Sequence, residues 1–251
     1  MKNFNLTKAI IPNTFTALNS FCGFLSIVFA SQGNYDLAAY AIFGAAFFDA
    51  ADGIIARMVG TSSRFGVELD SLSDVVSFGA APSLLIYFLY FNEFGFIGII
   101  LSSLVLLFGS FRLARFNVQL EDLTNKSDFK GLPIPVAALT LTSFVFAFHK
   151  NNTVPEPYSY FVIPLVVLVS LLMVSQVKYD TLPQIFKQTP KERVITALLF
   201  LSGLFIVILT AGTALFYIFI SIVLFGILRK MISFFFNSKQ NEEITYNEET
   251  N

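Results

Sequence analysis

The sequence predicts an all-α fold, a polytopic transmembrane helical bundle of about eight helices. Of the 251 residues, 55% are hydrophobic and only 13% are charged, against roughly 25% charged residues in an ordinary soluble domain. Apolar stretches long enough to cross a bilayer recur along the chain. Basic residues concentrate in alternate loops, as expected when every second loop is cytoplasmic. These three observations indicate a multi-pass protein of the cell membrane.

The helices are predicted from the apolar stretches, most of which approach the roughly 20 residues that span a hydrocarbon core. The first stretch is too long and too polar for the apolar part of a cleavable signal peptide, so we expect it to be retained as a helix. Gly212 marks a tight turn before the last helix. The polar, acidic segment 237–251 is predicted to be a disordered cytoplasmic tail, which leaves 1–236 as one membrane domain. The predicted helices cover residues 8–30, 36–58, 70–92, 95–117, 132–149, 157–176, 194–211 and 213–236.

The distribution of charge predicts the orientation of the bundle and limits its partners. Of the sixteen Lys and Arg residues, all but Lys150 fall on one side of an eight-helix bundle. The positive-inside rule makes that side cytoplasmic, so both termini are predicted to lie in the cytoplasm. A net charge of -1 gives no reason to expect nucleic-acid binding. The single cysteine, Cys22, excludes an internal disulfide and a cysteine-rich metal site.

Four aspartates interrupt two of the predicted membrane helices. Asp49 and Asp52 lie three residues apart, and Asp70 and Asp74 lie four residues apart, so each pair occupies one face of its helix. A short loop joins the two helices, which allows the two acidic faces to meet near the cytoplasmic surface. An acid at a helix centre costs about 2.5–3.5 kcal/mol on insertion scales. Converging acids therefore require compensating positive charge.

Divalent cations can supply that charge, because carboxylate oxygens with room for water suit Mg²⁺ or Mn²⁺. We predict that the four aspartates hold two divalent cations, Mg²⁺ or Mn²⁺. The alternative is that the acids are isolated capping or structural groups, which leaves their convergence unexplained. A metal site facing the cytoplasm suits a substrate that carries phosphate. Arg57, the hydroxyls of residues 61–63 and the backbone near Gly53 and Gly66 are suitable phosphate partners.

The spacing of these residues forms a longer motif. Asp49-x2-Asp52-Gly53-x2-Ala56-Arg57-x8-Gly66-x3-Asp70-x3-Asp74 resembles the signature of the CDP-alcohol phosphatidyltransferases. The resemblance implies an integral membrane enzyme that cleaves a CDP-linked lipid, transfers its phosphatidyl group to an alcohol and releases CMP. It also implies that the four aspartates are the metal ligands, and that Asp74 is the general base for the attacking hydroxyl.

The same resemblance implies a set of residues that bind CDP-diacylglycerol. Gly53, Arg57, Ser63 and Gly66 correspond to positions around the nucleotide and its diphosphate. In the first helix, the run "PNTFT" is similar to a Pro-Asn/Asp-x-x-Thr element near the nucleotide, which adds Asn13 and Thr16 to the set.

The acceptor site is predicted from the run "FRLARFN" at the end of the fourth helix. Arg112 and Arg115 either anchor the helix at the cytoplasmic surface or clamp a carboxylate or phosphate near the metals. Asn117 and Lys130 lie close by in sequence. The runs "LDSLSDVVSFGAAPS", "FRLARFN", "KGLPIPVAA" and "NSFCGFLSI" resemble the branch of the family that uses L-serine, so the resemblance implies L-serine as the acceptor.

Alternatives stay open at this point. The acceptor is glycerol 3-phosphate or inositol phosphate if the chain belongs to another branch of the family. A cation-coupled transporter also places acids in membrane helices, although such proteins carry related sites in two halves of the chain. We expect direct attack of the acceptor on phosphorus, with a two-step route through a phosphatidyl-enzyme as the alternative. The expected partners are CDP-diacylglycerol, L-serine, membrane lipids and a second copy of the chain in a homodimer.

Overall fold

Helices form the framework of the protein, in agreement with the predicted all-α class. The computed structural model describes residues 6–60, 63–121, 131–179, 206–207, 209–210 and 212–249. Within these ranges the chain forms seven helices, and we number them in chain order. They are α1 (Leu6–Ser31), α2 (Tyr35–Val59), α3 (Arg64–Leu89), α4 (Gly95–Glu121), α5 (Ile134–Phe148), α6 (Ser159–Val174) and α7 (Ala214–Glu249).

The seven helices match seven of the eight that the sequence predicts. The remaining predicted helix, 194–211, lies almost entirely outside the described residues. Five of the seven, namely α1 to α4 and α7, are long and apolar enough to cross a membrane by length and composition. The other two, α5 and α6, are equally apolar but contain only 15 and 16 residues.

Two helix boundaries differ from the prediction. Helix α3 begins at Arg64, six residues before its predicted start at 70, because its polar first turns lower the hydropathy while Ser63 caps the helix. Helix α7 continues to Glu249 and so includes part of the segment predicted to be a disordered tail. Hydropathy predicts how much of a segment lies in lipid, whereas backbone hydrogen bonds determine where the helix ends. The domain boundary at 236 stays a prediction.

Helix α3 is the central element of the bundle. It contacts α1, α2, α4 and α5. Within the described chain, 61% of its most apolar window is buried, against 28% or less for the other four long helices. Its middle section, Val75–Ala80, is a π-helical turn between two α-helical sections; such turns are frequent at functional sites. Polar side chains on α3 therefore face protein more than lipid.

The connection between α2 and α3 aligns their ends. Helix α2 terminates at Gly60, which adopts a left-handed conformation (φ 65°) and donates its backbone N–H to the carbonyl of Ala56. Glycine suits this position because other residues pay a steric penalty there. Helix α3 begins three residues later at the N-cap Ser63. The end of α2 and the start of α3 line one cavity, and Asp49 of α2 reaches the same cluster as Asp70 and Asp74 of α3.

Candidate active site

Three carboxylates from two helices converge in the interior of the bundle. Asp49 lies on α2, and Asp70 and Asp74 lie one turn apart on α3. Each offers a ligand oxygen, and these oxygens all lie within 4.8 Å of one another. Asp74 is only 8% exposed and is within hydrogen-bonding reach of Asp49. The predicted convergence of acidic faces from two helices is present.

The donor set fits a divalent cation. It consists of carboxylate oxygens, which are the ligands that Mg²⁺, Mn²⁺ and Ca²⁺ prefer. One oxygen of Asp70, Oδ1, is buried and has no hydrogen-bond partner among the described residues, although a buried acceptor is normally satisfied. A cation bound between the three carboxylates would satisfy that oxygen and offset the repulsion between them. A cluster of this kind can hold a metal ion.

Asp52, the fourth predicted ligand, is arranged differently. It is not one of the three acids that meet within 4.8 Å. Instead, its Oδ2 accepts a hydrogen bond of 2.8 Å from the hydroxyl of Thr16 on α1. Asp52 and Asp70 both line the cavity described next. Its role as a ligand therefore stays a prediction, and such a role would involve the side of Asp70 that faces the cavity.

A cavity of about 410 Å³ adjoins the acids, within the range of small-molecule sites. It lies between α1, the end of α2 and the start of α3. All six residues predicted to bind CDP-diacylglycerol line this one cavity, although they come from three separate helices and a loop. The cavity is lined by Pro12, Asn13, Thr16, Asp52, Gly53, Ala56, Arg57, Gly60, Ser63, Gly66, Val67 and Asp70.

The N-terminus of α3 is suited to bind phosphate. Ser63 Oγ accepts a hydrogen bond of 3.0 Å from the backbone N–H of Gly66, which uses an acceptor site of the hydroxyl and leaves its proton to donate to a ligand. A Cβ at Gly66 would lie 3.1 Å from Ser63 Oγ and 3.4 Å from Asn13 Oδ1, so the absent side chain keeps this part of the cavity open. The helix dipole adds positive potential here.

The residues predicted to bind the acceptor differ in their surroundings. Arg115 donates from Nη1 to the backbone carbonyl of Val174 at 3.4 Å, at the end of α6. Asn117 Nδ2 donates to Ser71 Oγ at 3.0 Å, on the acid-bearing helix. Arg112 interacts electrostatically with Asp74, and within the part of the chain that the structure describes its buried Nε has no hydrogen-bond partner. Lys130 lies outside the described residues.

Two residues near the acids were not singled out from the sequence. Asn19 on α1 donates from Nδ2 to Asp74 Oδ1 at 3.4 Å, and Ser73 on α3 donates to the carbonyl of Thr16 at 3.1 Å. The available signal was the position of Asn19, which follows Thr16 by three residues in an apolar helix and so shares its face. Ser73 carried no comparable signal, because isolated serines are common in membrane helices.

The fold and the site together define a polytopic membrane protein with a cluster of carboxylates that can hold a metal ion, beside a cavity of small-molecule size. Residues 9–175 match the CDP-alcohol phosphatidyltransferase family, and the chain belongs to this family. The resemblance drawn from the aspartate motif is thereby confirmed.

Curated relatives show which members of the family are similar. The CDP-diacylglycerol–serine O-phosphatidyltransferase of Helicobacter pylori is 38% identical over 200 residues, which cover 78% of this chain and 82% of that protein. The archaetidylserine synthase of Methanothermobacter thermautotrophicus is 38% identical over 182 residues, covering 71% of this chain and 73% of that protein. A CDP-diacylglycerol–serine O-phosphatidyltransferase from Methanocaldococcus jannaschii is 39% identical over 183 residues, covering 72% and 79%.

Proposed function

We propose that this chain is a CDP-diacylglycerol–serine O-phosphatidyltransferase, which transfers the phosphatidyl group of CDP-diacylglycerol to L-serine and releases CMP. The carrying observation is that the acid cluster adjoins a cavity lined by all six residues predicted to bind the CDP-lipid. Relatives named for this reaction are 38% identical to the chain over most of its length.

The cavity binds the nucleotide and its diphosphate. Arg57 of α2 and Asn13 of α1 both line it. The Ser63 hydroxyl and the N-terminus of α3 donate to phosphate oxygens, while Gly53 and Gly66 allow the ligand to approach the backbone. With the nucleotide in this cavity, the diphosphate lies beside the aspartates and the acyl chains extend into the bilayer.

Asp49, Asp70 and Asp74 hold a divalent cation, and Asp52 contributes to a second site with Asp70. When bound, Mg²⁺ or Mn²⁺ offsets the negative charge that develops on the diphosphate as it is cleaved. Chelation is expected to abolish turnover and added Mg²⁺ or Mn²⁺ to restore it. Calorimetric titration of Mn²⁺ into the purified protein reports the number of cations directly.

Asp74 accepts the proton of the attacking hydroxyl. The oxygen of serine forms a bond to the phosphorus of the phosphatidyl group, and the bond from that phosphorus to the CMP oxygen breaks. Its electron pair leaves with CMP, whose phosphate Arg57 stabilises. Serine is a weak nucleophile until it is deprotonated. Asp74 lies one turn beyond Asp70, within the carboxylate cluster, and interacts with Arg112.

Arg112 binds the carboxylate of serine. Its guanidinium interacts with Asp74 and has an unpartnered buried Nε, whereas Arg115 donates to the carbonyl of Val174. A carboxylate held by Arg112 orients the serine hydroxyl towards Asp74, because the two groups are separated by only two carbon atoms in the acceptor.

The site faces the cytoplasm, and both termini lie on the cytoplasmic side. Serine and the released CMP are soluble in that compartment. The supporting observation is that Lys150 alone, of sixteen basic residues, falls on the opposite side of an eight-helix bundle. A topology reporter fused at residue 237 is expected to report the cytoplasm. An external location would require an odd number of spans. Crosslinking in native membranes tests the predicted homodimer.

The test of function is a reconstituted assay with a panel of acceptors. Purified protein is incubated with CDP-diacylglycerol, Mn²⁺ and either L-serine, glycerol 3-phosphate or inositol phosphate, and the lipid product is identified by mass spectrometry. Phosphatidylserine and an equal amount of CMP are expected with serine alone. A lipid formed from another acceptor would reassign the substrate, and absence of all products would contradict the transferase activity.

The stereochemistry at phosphorus distinguishes direct attack from a two-step route. A substrate with a chiral, isotopically labelled phosphate is expected to give inverted product, because one displacement inverts the configuration. Retention of configuration, or a phosphatidylated residue trapped by rapid quenching, would establish a covalent intermediate instead.

A further inference from the structure

Helix α1 hydrogen-bonds to both acid-bearing helices through two side chains one turn apart. The Thr16 hydroxyl donates to Asp52 of α2 at 2.8 Å. The Asn19 amide donates to Asp74 Oδ1 of α3 at 3.4 Å. Both α1 residues are buried, Thr16 at 4% and Asn19 at 0% exposure. These contacts therefore form in the protein interior, where a hydrogen bond to a carboxylate has a strong orienting effect.

Helix α3 in turn fixes the backbone of α1 at the same two positions. The hydroxyl of Ser73 donates to the Thr16 carbonyl at 3.1 Å, and that of Ser77 donates to the Asn19 carbonyl at 2.9 Å. These serines stand on either side of Asp74 along α3. A Cβ at Gly23 would lie 2.5 Å from Ser77 Oγ and 2.7 Å from its Cα, so the glycine permits this close approach. The position of Asn19 relative to Asp74 is thus determined by the packing of two helices.

Asn19 donates to Asp74 Oδ1, and Asp74 and Asp49 lie within hydrogen-bonding reach of each other. A hydrogen bond between these two carboxyls requires a proton on one of them, which a bound cation displaces. The neutral amide of Asn19 donates in either case and adds no charge to the cluster. It engages Oδ1 of Asp74, so the position of Asn19 sets the direction in which Oδ2 points.

We infer that Asn19 is a positioning residue, which holds the Asp74 carboxylate in the rotamer that aims Oδ2 at the attacking hydroxyl. This inference rests on the proposed function, because it assigns Asp74 the proton transfer. The terminal torsion of an aspartate is broad, so loss of the amide allows the carboxylate to turn. A displacement of about 1 Å costs on the order of 10²-fold in rate when it misaligns reacting groups.

The test uses full-length protein with Asn19→Leu, a change that keeps a similar volume and removes the donor. The expected result is a fall in kcat on the order of 10²-fold, with the KM for serine and for CDP-diacylglycerol changed by less than about threefold. Mn²⁺ binding, measured by electron paramagnetic resonance, is expected to match the wild type. Ser26→Ala is the matched control, since Ser26 is another fully buried polar residue of α1 and its hydroxyl has no hydrogen-bond partner in the described ranges of the chain.

Three results would overturn the inference. The first is a kcat for Asn19→Leu equal to that of Ser26→Ala, and the second is a raised KM for serine with kcat retained, which would make Asn19 a binding residue. The third is loss of Mn²⁺ or CDP-diacylglycerol binding, which would make it part of the framework of the site. If the wild type transfers to an alcohol other than serine, the same comparison is made with that alcohol, so the two failures are distinguishable.

Discussion

The two ends of α2 carry acids in opposite circumstances. Asp36, in the first turn, has a side chain that is 61% exposed and lies 3.5 Å from the ring Nε2 of His149. It also stands at the helix N-terminus, where the dipole favours a negative charge. Asp49, near the other end, lies inside the bundle with ligand oxygens of Asp70 and Asp74 within 4.8 Å.

The surroundings of Asp36 stabilise its negative charge, whereas the clustered acids need a ligand that compensates theirs. Water, a helix dipole and an imidazole are sufficient for Asp36. Asp49 and Asp70 are half-buried, Asp74 is buried, and the three carboxylates repel one another; an acid at the centre of a membrane helix costs about 2.5–3.5 kcal/mol. Burial of this kind without compensation is tolerated where it serves a function. The comparison therefore predicts that the two ends of α2 respond very differently to the loss of an acid.

The largest effect is expected from Asp70→Asn. Removing this ligand is expected to abolish phosphatidyl transfer while the protein still inserts and folds, because the neutral amide has nearly the same shape. Phosphatidylserine formation and thermal unfolding in detergent measure the two properties separately. Asp49→Asn is expected to behave in the same way. Normal turnover of either variant at the same metal concentration would remove the metal-site hypothesis.

Asp74→Asn is expected to lower kcat by at least the roughly 10²–10⁴-fold that accompanies loss of a general base, and by more if a metal is lost as well. The affinity for CDP-diacylglycerol should fall less than turnover, since Asp74 does not line the nucleotide cavity. Steady-state kinetics and a nucleotide-binding assay provide the comparison. Equal losses of binding and turnover would indicate that Asp74 is mainly a structural ligand.

A smaller effect is expected from a change at the contact between α1 and α3. Gly23→Ala introduces a Cβ only 2.7 Å from the Cα of Ser77, so the helices must separate. We expect a loss of about 1–3 kcal/mol in the free energy of unfolding and reduced turnover. Gly44→Ala is the matched control, because its Cβ would make ordinary contact with Cys22 Sγ at 3.6 Å. Equal stability of both variants would contradict the tight packing of α1 on α3.

The smallest effect is expected from Asp36→Asn. Because Asp36 is 61% exposed, the loss of its charge should cost no more than about 0.3–1 kcal/mol of stability and leave the KM and kcat unchanged. His149→Gln should give a similar result. Thermal unfolding at low and high salt, together with the lipid assay, tests both variants. A large loss of activity would show that the far end of α2 is coupled to the site.

Much of the site could be predicted because its parts are local. The spacing of Asp70 and Asp74 defines one face of α3, and the turn between α2 and α3 is short enough to bring Asp49 to that face. The six residues predicted for CDP-diacylglycerol line one cavity, although two of them, Asn13 and Thr16, are far from the others in sequence. The start of α3 at Arg64 was missed, since hydropathy does not detect a helix turn that is polar.

By itself, the sequence determined the all-α membrane class, the seven described helices and the face on which each acid lies. These follow from hydropathy and helical periodicity, which are properties of single segments. Only the tertiary structure decided which helix faces meet and the axial register at which they pack. Helices that are equally apolar can slide and rotate past one another at little cost in hydropathy, so only the packing of side chains selects one register. Two features of the site depend on that register. The first is the hydrogen bond from Asn19 to Asp74, which are 55 residues apart in the chain. The second is the grouping of Asp49 with Asp70 and Asp74, while Asp52 accepts a hydrogen bond from Thr16.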